Sequence, residues 1–326
     1  MSVMGLNQTD QCLRFSCPER SVSTLYVLTY VCAAAVVLLT VCGNLLIIIS
    51  VCHFKQLHTP TNMLILSLAV SDCLVGALVM PMTLSWMIET CWVFSAAQCL
   101  CNVFFSYLFT TTSAYSVALI AVDRYFALSN PFLYTKAVTV NTMCIVVLCN
   151  WFLLLLYYLV LQYFNGYFTN LVMCPGDCFL VLDEVWFLVD LLLGFVFPCS
   201  VIIIFYVMVF VIARKHATAI RNLNMQTRTS KSTADSMKSE KKAAKVLAIL
   251  VSVFLGCLFP YFIYTVLGYV IEIEMGTFQK VLVLLYLNSA VNPVLYALFY
   301  PWFRKCVKLI LTLQIFSTDS SLMSVL

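Results

Sequence analysis

Seven apolar stretches, at roughly 24–52, 61–87, 97–122, 141–162, 184–213, 245–270 and 279–300, fill most of this 326-residue chain. A helix needs about 20 consecutive apolar residues to cross the hydrocarbon core of a bilayer. Each stretch meets that length. Composition agrees: 63% of residues are hydrophobic and 10% charged, where a soluble domain is nearer half apolar and a quarter charged. No long hydrophilic block remains to make a second domain. The expected fold is all-α, a seven-helix membrane bundle spanning 24–300. An N-terminal segment (1–23) precedes it, and an interfacial helix with a tail (301–326) follows.

Orientation follows from the basic residues, which favour the cytoplasmic side. Of the 18 Lys and Arg, Arg14, Arg20 and Lys280 lie in the N-terminus and the loop after span six, and the other 15 follow spans one, three and five or sit in the tail. That bias puts the N-terminus outside. The polar start lacks the apolar core of a cleavable signal peptide, so span one is expected to act as its own insertion signal. The net charge of +4 is a topology signal and implies no nucleic-acid partner. On the outer side lie Cys12, Cys17, Cys91, Cys99, Cys174 and Cys178, where disulfides persist, and the sequon at Asn7. The basic, Ser/Thr-rich stretch between spans five and six is expected to extend both helices and to be disordered in its middle. After span seven, "PWFRKCVKLILTL" suits a helix lying on the inner leaflet, with Cys306 as a candidate for acylation.

The motifs narrow the class. Span one carries "GNLLIIIS" with Asn44, span two "SLAVSDCLVG" with Asp72, and span three ends in "AVDRYFALSNPF". Trp151 marks span four and Pro198 span five; span six reads "FLGCLFP" and span seven "NSAVNPVLYALFYPWF". In that order and depth they resemble the rhodopsin-like G-protein-coupled receptors over essentially the whole chain. The resemblance implies that Arg124, beside Asp123, bridges to Glu240 when inactive and turns to the G protein when active. It implies that Tyr206 and Tyr296, the latter after Pro293, meet near that arginine. It also implies that Asp72, Ser113, Asn288, Ser289 and Asn292 form a sodium site, the one cofactor-like ion expected. Cys99 is expected to bond Cys178, leaving Cys174 to pair with Cys12 or Cys17. Leu258 stands where most relatives carry a tryptophan switch, leaving Phe254 one turn deeper.

Residues 288–303 bear a closer resemblance to the trace amine-associated receptors, through Asn288, Ser289, Tyr300, Trp302 and Phe303. Amine receptors hold the ligand ammonium with an acid 18 residues before the span-three arginine, about 27 Å outward along the helix. Here that position is Ser106, and no acid lies between Cys99 and Asp123. An acid appears instead at Asp190, in the apolar "VWFLVDLLLGFVFP" of span five. Insertion scales put the cost of a charge at mid-membrane at about 2.5–3.5 kcal/mol. Asp190 lies about 12 Å outward of Pro198, at pocket depth. Some fish trace amine-associated receptors are similar in carrying the acid on span five. Asp190 is therefore read as the counter-ion for a protonated amine, with Ser106, Tyr107, Thr110, Tyr261, Phe262 and Tyr286 as further pocket residues. Two structural readings stand beside it: a protonated Asp190 bonded to a neighbouring span, or one facing a water-filled vestibule.

The expected activity is a plasma-membrane amine receptor, chemosensory, signalling through a stimulatory or olfactory-type G protein to cyclic AMP, with arrestin and receptor kinases as further partners. A second acid for a diamine is missing at pocket depth, which favours monoamines. The alternative is a receptor of the same fold for a peptide or lipid, with Asp190 structural. His53, His58 and His216 all lie at the cytoplasmic side, so no intramembrane His site forms, and no GxSxG, HExxH or GxGD motif is present. Span seven lacks a lysine at retinal depth, and no inverted repeat suggests a transporter.

Overall fold

The computed structural model describes Cys17, Gly176, Cys178 and residues 22–168, 182–226, 231–268, 275–317 and 320–325, with backbone alone for 165–168, 216–226, 231–247, 275–276 and 279. All seven expected spans are helices, bounded at Thr24–His53, Pro60–Glu89, Ala96–Ser129, Val140–Phe164, Glu184–Lys215, Ala248–Leu267 and Lys280–Phe299. Their starts are written locally. Ser23 and Thr59 cap spans one and two by accepting from the amides of Tyr26 and Asn62 at 3.2 and 3.3 Å. Ser95 and Gln98 form a reciprocal capping box on span three. Such caps satisfy amides that a helix start leaves without partners.

Prolines shape the spans further. A wide turn, Val75–Val79, precedes Pro81, and another, Leu191–Val196, precedes Pro198. A proline lacks the amide and its ring crowds the carbonyl four residues back; widening the turn relieves that clash. Span five is thus re-aimed one residue after Asp190.

Span three is the centre of the bundle, packed against spans two, four and five. In spans two and three 61% of the most apolar window is buried, against 17% in spans four and six. The outlying faces, such as Leu148 (68% exposed) and Phe152 (65%), are the lipid-facing surface. Buried polar links tie the centre: the Trp151 indole donates to Ser67 at 3.0 Å, Ser67 bonds Ser116 at 3.0 Å, and the Asn44 amide donates to the Ser289 carbonyl at 3.1 Å. Span one reaches span seven through Gly43, where an added Cβ would lie 2.6 Å from the Pro293 ring.

At the outer end, Cys99 bonds Cys178, as expected. Cys17 bonds Cys91, which corrects the expected use of Cys17 as a partner for Cys174. A Cα separation of 5.7 Å makes Cys91, at the end of span two, the neighbour of Cys17. Cys12, Cys174 and Asn7 lie outside the described residues. Gly176, beside Cys178, accepts from the Trp92 amide at 2.6 Å.

At the inner end, the helices of spans five and six run on to Gln226 and back from Lys231, so both extend into this stretch as expected; its middle, 227–230, lies outside the described residues. A short helix, Pro131–Ala137, follows span three, opened by Pro131 in its first turn. The interfacial helix is present as Pro301–Leu311, with Phe303 and Cys306 on its buried face. Cys306 is not placed for acylation. Its side chain is 0% exposed, packed with Phe54, Leu57 and Val325 where the tail returns over the helix, and burial pushes its thiol up to about 11. Acylation needs an accessible sulfur, and the thiolate is the nucleophile.

Candidate functional site

Asp190 ends the first helical segment of span five and is 7% exposed. Its Oδ1 accepts from two adjacent tyrosines of span four, Tyr157 and Tyr158, each at 3.3 Å. Tyr158 also bonds Thr111 of span three at 2.6 Å. Among the described residues Oδ2 accepts no hydrogen bond, and Asp190 has no cationic partner. Gly194 lies one turn below; a Cβ there would sit 3.2 Å from Oδ1. Of the structural reading of a protonated Asp190 bonded to a neighbouring span, the bond is present, at one oxygen.

Several of the expected pocket residues gather around it. Tyr107, on span three, has its ring centroid 6.0 Å from that of Tyr158 and, like Tyr261 of span six, feels the Asp190 charge. Phe262 stacks on Phe195 of span five at 3.7 Å. A carboxylate with phenols and aromatic rings close by is a combination that suits a cation.

Ser106 and Tyr286 are bonded to each other at 2.7 Å. Tyr286 lies within electrostatic reach of Tyr107 and Tyr261 and also lines a crevice of about 600 Å³ between spans one, two and seven. That crevice is lined mainly by apolar side chains, with Tyr26 at its rim, and Asp190 takes no part in it. Among the described residues, no hydrogen bond or ring contact joins Thr110 to either cluster. Tyr157, Tyr158 and Thr111 were absent from the sequence reading; the paired hydroxyls of "LLLLYYLV" in an apolar span were the available signal.

The inner half holds a second carboxylate. Asp72 is 0% exposed, and its Oδ1 accepts from Ser113 at 2.9 Å and Ser289 at 2.8 Å, its Oδ2 from the Asn292 amide at 2.7 Å. Four of the five residues expected here therefore meet; Asn288 is buried with no hydrogen bond to the carboxylate among the described residues. The carboxylate and two hydroxyls are hard oxygen donors of the kind sodium takes, so the residues fit the expected ion.

At the end of the bundle away from the disulfides Arg124 pairs with Asp123 at 2.6 Å, the one ion pair among the described residues, and also bonds Thr61. Asp123 accepts from Thr61 at 2.8 Å and from Tyr134 at 2.6 Å. Burial, then this bond to Asp123, raises the Tyr134 phenol above its ordinary range, so it stays a donor. Tyr134, from the short helix, was not foreseen. The Glu240 side chain lies outside the described residues, and with it the expected bridge to Arg124. Tyr206 is half-buried, its hydroxyl without a hydrogen-bond partner among the described residues, within electrostatic reach of Arg124 and of buried Tyr296. Phe254 (3% exposed) and Leu258 (1%) fill the core of span six.

Residues 43–296 match the model of the 7 transmembrane receptor (rhodopsin family). Trace amine-associated receptor 13c of Danio rerio is 37% identical over 300 residues, covering 90% of this chain and 88% of the relative. Trace amine-associated receptor 8a of Rattus norvegicus is 39% identical over 316 residues, covering 92% and 90%. Trace amine-associated receptor 4 of the same species is 34% identical over 322 residues, covering 94% and 91%.

Proposed function

The chain belongs to the rhodopsin family of seven-transmembrane receptors, among the trace amine-associated receptors, and from that premise we propose that it detects a protonated amine whose ammonium pairs with Asp190. The family is one of multi-pass membrane receptors, without enzymatic activity. The observation that carries the reading is a buried carboxylate with one oxygen bonded by tyrosines, the other accepting nothing from the described residues, and no cation beside it. A buried charge without a partner is costly. An ammonium donating to Oδ2, with the faces of Tyr107 and Tyr261 near, would remove that cost. The fifth-span acid and the serine at position 106 liken this receptor to the fish-type subgroup.

Signal transmission follows from packing. Phe195, within the wide turn after Asp190, stacks on Phe262 of span six. A ligand that draws span five inward shifts that stack and biases span six. At the inner ends of these spans Tyr206, Tyr296 and Arg124 supply a bistable arrangement for population shift. Released from Asp123 and Glu240, Arg124 would face a stimulatory or olfactory-type G protein, raising cyclic AMP, with arrestin and receptor kinases acting on the active form. Asp72, Ser113 and Ser289 would hold a sodium ion, which supplies the countercharge of Asp72. The N-terminus is extracellular, supported by the cytoplasmic excess of Lys and Arg and by disulfides at the end of the bundle where the chain begins.

A cyclic-AMP reporter assay tests the ligand class. Primary amines are compared with alcohols of the same carbon skeleton. The reading expects amines to activate and their alcohols to be weaker by about 100-fold or more, about 2.7 kcal/mol. Equal potency would transfer the ligand to a second reading, an uncharged lipid-like ligand. That reading is favoured by the apolar crevice between spans one, two and seven.

A further inference from the structure

Asp190 is held in a way that restricts which cations it can take. Tyr158 has one hydroxyl proton, and Asp190, as a carboxylate, can only accept. Tyr158 therefore donates to Asp190, and Thr111 must donate to Tyr158 across their 2.6 Å contact. This relay fixes the direction of every proton from span three to span five. Tyr157 brings a second donor to the same oxygen, its ring packed edge-on to Tyr158 at 4.8 Å. Gly194 closes the backbone side, where a Cβ would lie 3.2 Å from Oδ1 and 3.5 Å from the Tyr158 hydroxyl. Oδ1 has two donors, which take up its two acceptor sites. Oδ2 alone is left for a ligand.

We propose that Tyr157 and Tyr158, seated over Gly194, are positioning residues that make Asp190 a one-oxygen acceptor, selecting monodentate ammonium ligands over fork-shaped guanidinium or amidinium ligands. A guanidinium presents two parallel N–H groups and pairs best with both oxygens of a carboxylate. Here the second N–H meets an oxygen already occupied, and a buried donor left without a partner is penalised. An ammonium needs only one well-placed oxygen. Because the clasp also fixes the Asp190 side chain before ligand arrives, it removes an ordering cost from binding. The proposal rests on the reading of Asp190 as the ligand's counter-ion.

The test is a cyclic-AMP concentration–response series at matched surface expression. A panel of primary amines, each paired with the guanidine of the same carbon skeleton, is run on wild type, Tyr157→Phe, Tyr158→Phe, Gly194→Ala and Asp190→Asn. Wild type is expected to prefer the amine by about tenfold or more. Each Phe variant frees an acceptor site on Oδ1 and is expected to narrow that preference to within about threefold, the amine losing potency while the guanidine holds or gains. A merely structural tyrosine would weaken both ligands together and leave their ratio unchanged; that result overturns the proposal. So does a wild type that takes both equally. Tyr157 is half-buried and lacks the Thr111 link, so Tyr157→Phe carries the test should Tyr158→Phe fail to reach the surface. Asp190→Asn separates the two levels. If it loses the amine while the Phe variants keep the ratio, only the clasp is wrong. If it responds like wild type, or if no amine activates the receptor, the counter-ion reading falls and the clasp with it.

Discussion

Asp72 and Asp190 are both carboxylates in apolar helices, and their surroundings assign them opposite tasks. Asp72 has donors on both oxygens, at 2.7 to 2.9 Å, from spans three and seven. Asp190 has two donors at 3.3 Å on one oxygen, from span four alone. The first is bonded on both sides within the protein; the second is bonded on one. A group whose hydrogen bonds are complete contributes to the fold, whereas a buried acceptor left open is tolerated at the fold's expense. Depth agrees with this division. Asp72 lies where spans one, two, three and seven converge, and Asp190 sits just above the wide turn of span five, beneath the disulfide-tied outer loops.

Stability measurements would sharpen the contrast. Asp72→Ala strands three donors, two of them hydroxyls of buried serines; it should cost on the order of 3 kcal/mol, read as a large drop in the melting temperature of the purified receptor. Ser289→Ala removes one of the three donors and should cost about 1 kcal/mol. Asp190→Ala should fall within about 1 kcal/mol of wild type, or stabilise, because it removes an uncompensated charge. Equal losses for the two aspartates would break the comparison. The smallest effect concerns Cys306, which packs with Phe54, Leu57 and Val325 and whose thiol is pushed up to about 11 by burial. Its raised value means that the neutral thiol is the form the fold favours. That contribution is complete below the ordinary thiol range near 9 and fades as pH rises toward 11. Iodoacetamide labelling of Cys306 should therefore be slow at neutral pH, and truncation after Ser317, which removes Val325 from the cluster, should speed it.

Much of this architecture is legible in the sequence. The seven spans follow from bilayer thickness; the caps at Ser23, Thr59 and Ser95 and the wide turns before Pro81 and Pro198 were not foreseen, though their signals are local. The Asp72 cluster was foreseen through resemblance, and its geometry joins four of the five residues. What escaped depends on contacts between distant segments. Cys17 and Cys91 are 74 residues apart, and nothing local chooses Cys91 over Cys174. Tyr157 and Tyr158 sit in a span that reads as continuous apolar sequence, so their role emerges only once span four is placed against span five. Tyr134 reaches Asp123 from a helix too short to show a periodicity. Cys306 looked surface-bound because the tail that covers it returns from the far end of the chain.

The central claim is that Asp190 is the ligand's counter-ion, and Asp190→Asn tests it most directly. The substitution keeps the shape and removes the charge. Cyclic-AMP concentration–response curves for the most potent amine, at matched surface expression, should shift by about 100-fold or more, about 2.7 kcal/mol. Coincident curves for wild type and Asp190→Asn would contradict the account.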